Sequence, residues 1–538
     1  MSGSTVFAAF MATAAAAPRH AFLCVPPAPG RAYDPAGVEL TYDAVKERVL
    51  ATQGRYAAAG YGHGHRVALL LENRPEFFVH YLALNGLGAG IVPINPDYRH
   101  EEMLYQMDHS EADLAVVLPG RVADLERVGR ERRPPLPVVA SDDVARALPR
   151  PGPAPRREAP GLESECGLLY TSGTTGRPKG CVLTNFYYLN AGRWYRDLGG
   201  RAAIRHGEER FYNPLPLFHM NHQAVTATCA ILTASGLVLP ERFSPTRWWP
   251  EIAATGATIV HYLGVVPPLL LNQPPSAQDR AHRVRFGLGA GVEPELHPVF
   301  EARFGFPLVE VWGMTETGRI FADNHEPRQV TTRAFGRPHG GLEAKVVDDK
   351  DVELPPDGEG ELLVRWGGPE GPRHGFFSGY LKNPDATAEA WRGEWFHTGD
   401  VVRRTADGML VFVDRKKNII RRSGENIAAA EVEAVLQAHD AVAQVAVLAV
   451  PDELREEEVM ACIVPMPGVA PDPALAAQLM AWCLAKLAYF KAPGWILYRE
   501  SLPTTGTQKV QKTQLFARGE DPRRLPGALD LRELKKRR

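Results

Sequence analysis

The sequence predicts an α/β protein with a large N-terminal domain of stacked, mostly parallel sheets with helices, a small β-rich subdomain, and a small α+β C-terminal domain. The chain has 538 residues, which is too long for one hydrophobic core. Strand-like and helix-like runs alternate through most of it, which is typical of βαβ units. Short β runs follow, and roughly the last 120 residues carry a pattern of their own.

The opening segment is expected to form an amphipathic helix. Phe7, Phe10 and Met11 recur at helical spacing in an apolar stretch that Pro18 closes. The first basic residue is Arg19, which follows this stretch, whereas a secretion signal begins with basic residues. We therefore interpret the segment as a helix and not as a signal peptide.

Continuous apolar runs after this helix are typical of parallel strands that are covered on both faces. Strands are expected at 66–71, 90–95 and 115–118, and a helix at 75–87. Residues 132–160 are rich in Pro and Arg, so we expect a surface excursion there. A second α/β stretch is expected from about residue 211 to residue 334.

The pattern changes after Gly336 to short β runs, of which residues 361–364 are one. Asp407 and Gly408 lie between two apolar runs, which predicts a β-hairpin. In the C-terminal part, strands are expected at 443–450, 459–464 and 495–498, and helices near residue 427 and at 475–487. Strands and helices in this order predict a small α+β domain.

Charge and cysteine content argue against several classes of protein. Lys and Arg number 61 against 63 Asp and Glu, so the formal net charge of −2 speaks against nucleic-acid binding. No apolar run is long enough to span a bilayer, so no transmembrane segment is expected. The six cysteines are scattered without a Cys-x-x-Cys pair, which favours reduced thiols in a cytoplasmic protein over disulfides or a zinc site.

A loop rich in glycine and hydroxyl residues, between Tyr170 and Gly180, is suited to binding phosphates. Its glycines let the backbone approach a ligand, its N–H and O–H groups donate hydrogen bonds, and Lys179 neutralises charge. It differs from the common P-loop because Pro178 precedes the lysine and a glycine follows it. The candidate phosphate-binding residues are Thr171, Ser172, Gly173, Thr174, Thr175, Gly176 and Lys179.

A second candidate segment runs from Val309 to Gly318, where an apolar strand leads into a turn. Thr315 can hydrogen-bond a phosphate, and Glu316 offers the oxygen ligand that Mg²⁺ prefers. Trp312 offers an aromatic face to a base. A structural turn with a helix-opening Glu is the alternative interpretation of this segment alone.

Further motifs occur in a fixed order at residues 214–219, 288–291, 395–400, 414–427 and 502–512. Together with the two segments above they resemble the acyl-adenylate-forming superfamily, in its acyl-CoA ligase branch. The similarity is greatest to bacterial carnitine or crotonobetaine–CoA ligases and to general acyl-CoA synthetases. The resemblance implies an AMP-forming acid–CoA ligase that uses ATP, Mg²⁺ and coenzyme A. Its substrate is expected to be a small to medium carboxylic acid, whether fatty, carnitine-like or aromatic.

The resemblance also implies roles for individual residues. Nucleotide contacts are expected from the phosphate loop and from Gly289, Ala290, Gly291, Trp312, Gly313, Thr315, Asp400, Arg415 and Lys417. The acid pocket is expected at His219, Asn221, Tyr262, Gly264, Ala290, Gly291 and Met314, and the CoA channel at Ser423, Gly424 and Glu425. The implied catalytic residues are Lys509, Glu316, Thr315 and Lys179, with Glu316 as the magnesium ligand.

The family's architecture implies a large domain at residues 1–413, a hinge at 414–417 and a small mobile domain at 418–538. Lys509 keeps the family's spacing from Pro503, although Gln508 stands where a glycine is usual and Lys512 is a competing cation. Three alternatives stay open: an adenylating enzyme that loads a carrier protein, a non-catalytic nucleotide-binding relative, and a light-emitting oxygenase on the same scaffold. A homodimer is a further expectation of the resemblance.

Overall fold

The computed structural model describes residues 4–146, 148–171, 178–422, 425–453, 455–504, 510–517 and 519–535. The chain forms two compact units, Met1–Gly341 with Trp366–Trp391, and Leu342–Arg365 with Arg392–Arg538. The first unit holds the α/β part and the second holds the short β runs and the C-terminal part. The hinge at 414–417 stays a prediction.

The first unit alternates strands and helices along the chain. Its strands are β1 Ala21–Val25, β2 Val38–Thr41, β3 Arg66–Leu70, β4 Gly90–Pro93, β5 Leu114–Val117, β6 Val138–Ala140, β7 Glu165–Thr171, β8 Lys179–Thr184, β9 Arg210–Tyr212, β10 Gly236–Val238, β11 Ile259–Leu263, β12 Phe286–Ala290, β13 Leu308–Gly313 and β14 Ile320–Ala322. Its helices are α1 Val6–Ala16, α2 Tyr42–Ala59, α3 Pro75–Gly86, α4 His100–Ser110, α5 Val122–Glu131, α6 Asn185–Arg196, α7 Ala227–Leu232, α8 Trp248–Thr255, α9 Val266–Leu271, α10 Leu296–Phe304 and α11 Pro384–Ala390.

The second unit is richer in strands. They are β15 Leu342–Val347, β16 Glu359–Trp366, β18 Trp391–Arg392, β19 Trp395–Arg404, β20 Leu410–Arg415, β21 Ile419–Arg422, β22 Glu425–Ala428, β23 Val442–Asp452, β24 Glu456–Pro465, β25 Trp495–Tyr498 and β26 Leu529–Asp530, while β17, Gly379–Tyr380, lies in the first unit. The helices of the second unit are α12 Ala429–Gln437 and α13 Pro473–Lys486.

Two sheets organise the first unit. In the described residues one has the order β14-β13-β12-β11-β9-β10-β1-β2, in which β13 to β1 are parallel and both edge strands are antiparallel. The other has the order β17-β8-β7-β4-β3-β5-β6, with parallel pairing from β7 to β6. Helices cover these sheets, which is why strands such as β5 are buried at every residue.

The second unit contains two mainly antiparallel sheets. One follows the order β15-β16-β19-β18 with β20 on β19, and the other β22-β21-β24-β25-β26 with β23 on β24. Helices α12 and α13 pack their apolar residues on the second of these sheets, where Val432, Leu436 and Leu479 are buried with Val447 and Ile463. This gives the C-terminal part a hydrophobic core of its own.

The predicted elements are largely confirmed. The opening helix, the strands at 66, 90 and 114, and the strands and helices of the C-terminal part all form within a few residues of the expected bounds. Strands β19 and β20 pair as the hairpin that Asp407 and Gly408 predict. The surface excursion at 132–160 is partly wrong, because β6 pairs in parallel with β5 inside it and Leu136 is buried.

Candidate active site

Three neighbouring parallel strands bring the central candidates together. Strands β11, β12 and β13 pair in a register that sets Tyr262 opposite Gly289 and Gly289 opposite Glu310. The residues that directly follow the carboxyl ends of these three strands therefore lie together at one edge of the sheet. Open α/β sheets bind ligands at this edge. Tyr262, the 289–291 turn and the 312–314 segment are thus placed side by side.

A buried carboxylate, Glu310, fixes this edge from within. One oxygen accepts the Gly291 N–H at 2.7 Å, and the other accepts the Tyr262 hydroxyl at 2.5 Å. Burial raises the pKa of Glu310 to about 7, against the hydrogen bonds from Tyr262 and Gly291 that lower it. Sequence reasoning missed this residue. Its signal was an acid in the apolar run Leu308–Gly313, where a charge needs partners.

Glycine is required where the backbones of β11 and β12 leave the sheet. A Cβ at Gly289 would collide with the Tyr262 ring, and one at Gly264 would collide with the carbonyl oxygen of Gly291. Gly291 has a φ of +90°, a conformation that residues with a Cβ rarely adopt. Close approach therefore explains why the predicted turn is rich in glycine, and it leaves Ala290 between Gly289 and Gly291 at the end of β12.

The remaining predicted pocket residues lie after β9. A π-helix spans Asn221–Thr226, a geometry often found at functional sites. The Asn213 amide donates to Asn221 Oδ1 at 3.0 Å, and the half-buried His219 precedes this helix. His222 is buried, and burial lowers its pKa to about 4, so its ring is neutral. In the described residues no group of three or more His, Cys, Asp or Glu could hold a metal ion.

The predicted phosphate loop lies between two antiparallel strands. Thr171 ends β7, Lys179 begins β8, and the two residues pair in register. The common P-loop instead leads from a strand into a helix, so the expectation of a different loop is confirmed. The Tyr105 hydroxyl donates to the carbonyl of Pro178 at 2.9 Å and holds the start of β8. The predicted residues Ser172, Gly173, Thr174, Thr175 and Gly176 lie outside the described residues.

The turn after β13 presents Thr315 and Glu316. The Thr317 amide donates to the Met314 carbonyl at 3.1 Å, and the Tyr187 hydroxyl donates to the Thr315 carbonyl at 2.7 Å. Tyr187 is placed by helix α6, whose first turn is capped by the Thr184 side chain. The turn is therefore fixed from both sides, with Glu316 only 5% exposed.

Tyr380, on β17, links the two candidate charged groups. Its hydroxyl donates to Glu316 Oε1 at 2.8 Å, and the Lys179 ammonium lies 4.8 Å from the centre of its ring. Sequence reasoning missed Tyr380, because its partners lie far from it in the sequence. Tyr380 thus contacts both Glu316 and Lys179, two candidates of opposite charge.

Trp312 lies within a group of aromatic rings at the end of β13. Its ring stacks on Phe321 with centroids 5.5 Å apart and lies 6.0 Å from Phe335. The side chain is 7% exposed, so most of its surface is already covered by protein. Contact of Trp312 with an adenine base stays a prediction.

In the second unit, two of the residues predicted to contact the nucleotide form an ion pair. Arg415 Nε lies 2.7 Å from a carboxylate oxygen of Asp400, which is buried, and the two residues are opposite each other on β19 and β20. Lys417 follows in a short 3₁₀ turn at residues 416–418, and Glu425 begins β22. Ser423 and Gly424 lie outside the described residues.

Of the two competing C-terminal cations, Lys512 has a partner within its own unit. Its ammonium lies 2.8 Å from Glu433 Oε1, and that carboxylate also accepts the Val447 N–H at 2.7 Å. A structural ion pair accounts for Lys512. Lys509 lies outside the described residues, and its assignment to the substrate stays a prediction.

Comparison with known proteins gives a family for both parts of the chain. The family of AMP-binding enzymes matches residues 11–381, and the C-terminal domain of AMP-binding enzymes matches residues 431–509. Across the described ranges, no helix is long and apolar enough to cross a membrane.

Similar proteins align over nearly the whole chain. A sulfoacetate–CoA ligase of Cupriavidus necator is 32% identical over 89% of this chain and 93% of its own, and a crotonobetaine/carnitine–CoA ligase of Citrobacter koseri is 30% identical over the same shares. The solved structure of O-succinylbenzoate coenzyme A synthetase from Bacillus subtilis, in complex with ATP and magnesium ion, shares the fold. It has a TM-score of 0.79 at 23% identity and covers 94% of this chain and 98% of its own. The chain therefore belongs to the AMP-binding enzymes and, among them, to the AMP-forming carboxylic acid–CoA ligases.

Proposed function

We propose that the enzyme activates a small to medium carboxylic acid with Mg·ATP and transfers the acyl group to CoA, using the residues assigned above. The observation that carries this assignment is the pairing of Glu316 with Lys179 through Tyr380 at the carboxyl edge of β13. A carboxylate and an ammonium that contact the same tyrosine suit a metal-bound triphosphate. Both relatives are CoA ligases, which supports CoA as the thiol acceptor.

The donor set fits magnesium. Glu316 supplies a carboxylate oxygen, the hard ligand that Mg²⁺ takes, and Tyr380 engages Oε1 of that carboxylate. Mg²⁺ usually completes its coordination with water and substrate phosphate oxygens, so a single protein carboxylate is sufficient. When bound there, the ion would neutralise phosphate charge. The rest of the phosphate binding falls to Lys179, Thr315 and the loop that follows Thr171.

The first step forms an acyl adenylate. A carboxylate oxygen of the acid attacks the α-phosphorus of ATP, the bond to the bridging oxygen breaks, and pyrophosphate leaves with the electron pair. Such a step depends on positioning and on stabilising charge. We assign Lys509 to the developing charge between the acid and the α-phosphate, and Asp400 with Arg415 to the ribose.

The second step forms the thioester. The CoA thiolate attacks the acyl carbon, the carbon–oxygen bond to the phosphate breaks, and AMP leaves with that oxygen. Lys509 has no part in this step, so the family's rotation about the hinge would remove it. We assign the torsional change to Lys417 and the CoA channel to Ser423, Gly424 and Glu425.

The proposed substrate class follows from the residues at the sheet edge. Gly264, Ala290 and Gly291 provide little side-chain bulk, while His219 and Asn221 provide polar groups. Tyr262 is 2% exposed and its hydroxyl donates a hydrogen bond to Glu310. A pocket of this composition suits a compact acid better than a long chain.

The experiment measures pyrophosphate release with Mg·ATP and a panel of acids, each with and without CoA, and identifies the thioester by mass. The panel contains short, medium and long fatty acids, carnitine, crotonobetaine, sulfoacetate, benzoate and cinnamate. We expect acid-dependent release and an acyl-CoA for one compact class. Release without a thioester would instead indicate a carrier-protein acceptor. No release with any acid would contradict the proposal.

A further inference from the structure

We propose that Tyr380 is a positioning residue for both charged groups of the nucleotide site, holding the Glu316 carboxylate through its hydroxyl and the Lys179 ammonium through its ring. The inference rests on the proposed function, because it takes Glu316 as the magnesium ligand and Lys179 as a phosphate ligand. It adds a third residue, which lies outside the motifs that carry those two.

The geometry separates the two contacts of Tyr380. The hydroxyl lies 2.8 Å from Glu316 Oε1, a charge-assisted hydrogen bond that fixes the carboxylate's rotation. The Lys179 ammonium lies 4.8 Å from the ring centre, within the range of a cation–π contact. One side chain therefore contacts both an anion on the turn after β13 and a cation at the start of β8.

The backbone around Tyr380 connects the same two places. The Phe377 N–H donates to the Glu316 carbonyl at 2.9 Å, the Ser378 N–H to the Val182 carbonyl at 2.9 Å, and the Leu381 N–H to the Gly180 carbonyl at 2.8 Å. Residues 377–381 thus bridge the Glu316 turn to strand β8, which begins at Lys179. Strand β17 is held in register by this bridge, with Tyr380 opposite Cys181.

The hydroxyl is the donor of this hydrogen bond, because an ionised carboxylate can only accept. Partners that orient a metal-binding carboxylate typically change metal affinity or activity by about 10–100-fold when they are removed.

The test substitutes Tyr380→Phe, which deletes the hydroxyl and keeps the ring beside Lys179. The first readout is thermal stabilisation by ATP as a function of Mg²⁺ concentration, which requires no turnover. We expect the Mg²⁺ midpoint to rise by about tenfold, with a similar fall in kcat/KM for acid-dependent pyrophosphate release. The matched control is Tyr56→Phe, a buried tyrosine whose hydroxyl lies 2.8 Å from His80 Nδ1, with the wild-type midpoint expected.

A double-variant cycle asks whether Tyr380 acts through Glu316. If it does, Tyr380→Phe adds little to Glu316→Gln, because the effects of residues that act as a unit do not add. A Mg²⁺ midpoint for Tyr380→Phe within about twofold of wild type, or additive losses in the cycle, would overturn the inference while the proposed function stands. A wild-type enzyme that shows neither Mg·ATP stabilisation nor pyrophosphate release would overturn both.

Discussion

The raised pKa of the buried Glu310 carboxyl predicts how the stability of the enzyme changes with pH. Glu310→Gln keeps the size of the side chain and an oxygen that accepts the Gly291 N–H, while its amide can donate to the Tyr262 hydroxyl. The substitution removes the titrating group. Because the local hydrogen bonds survive in this form, the change isolates the effect of charge at a buried site.

The sign follows from the direction of the shift. The pKa of Glu310 rises from 4.5 to about 7 in the folded enzyme, chiefly through burial. Between these values the unfolded chain has released a proton that the folded chain still holds, so rising pH favours unfolding. Ionising Glu310 in the folded chain therefore costs free energy of unfolding. This cost is absent below pH 4.5 and complete above about pH 7. At 1.36 kcal/mol per pKa unit the complete cost is about 3 kcal/mol, of which about 2.5 kcal/mol develops between pH 5 and 8.

The assay is calorimetric unfolding of wild type and Glu310→Gln between pH 5 and 8. For a unit of this size the expected cost lowers the melting temperature by about 3 °C. The melting temperature of Glu310→Gln relative to wild type should therefore rise by about 3 °C between pH 5 and pH 8. Glu301→Gln is the matched control: burial would raise the pKa of Glu301, but hydrogen bonds from His297 and Arg328 lower it to about 2. The stabilisation from ionised Glu301 is present above pH 4.5 and is lost only as pH falls toward 2. The difference in melting temperature between Glu301→Gln and wild type should therefore stay constant from pH 5 to 8. Parallel curves for Glu310→Gln and wild type would refute the reasoning.

Lys509→Ala should lower acid-dependent pyrophosphate release by at least about 100-fold and still pass a supplied acyl adenylate to CoA; loss of both steps, in single-turnover assays, would contradict its assignment. Lys512→Ala should lower the melting temperature by a few degrees and retain adenylation, because its partner lies in the same unit; an intact melting temperature without adenylation would exchange the two lysines. Lys417→Pro should keep pyrophosphate release and block thioester formation, and a normal thioester yield would remove the hinge from this position. Asp400→Asn should raise KM for ATP by about tenfold at nearly constant kcat, and steady-state kinetics that show the reverse would argue against ribose binding.

Local patterns predicted the elements and the residues that act within one segment. The apolar run after Arg66 predicts β3, because a strand covered on both faces needs apolar side chains at every position. The turn after β13 was also recognisable from a local pattern, because Thr315 and Glu316 stand together in a strand-end motif. The structure places these residues at the carboxyl edge that a parallel sheet offers to a ligand.

Partnerships between distant segments could not be predicted in this way. Tyr380 donates a hydrogen bond to a carboxylate 64 residues away in the sequence. Glu310 accepts a hydrogen bond from Tyr262, which lies on β11. Strand β6 was missed because three half-buried residues among prolines carry no alternation. The pairing of Lys512 with Glu433 likewise appears only in three dimensions. The partners of Tyr380, Glu310 and Lys512 are therefore visible only in the folded chain.

The measurement that tests the central claim most directly follows an oxygen atom. The acid is supplied with ¹⁸O in its carboxylate, the enzyme is run with Mg·ATP and CoA, and the label is located by mass spectrometry. Attack on the α-phosphorus followed by thiol attack on the acyl carbon leaves one carboxylate oxygen on the nucleotide, so we predict one ¹⁸O in AMP and none in pyrophosphate. Label in inorganic phosphate or pyrophosphate, or thioester formation with unlabelled AMP, would contradict adenylation as the first step.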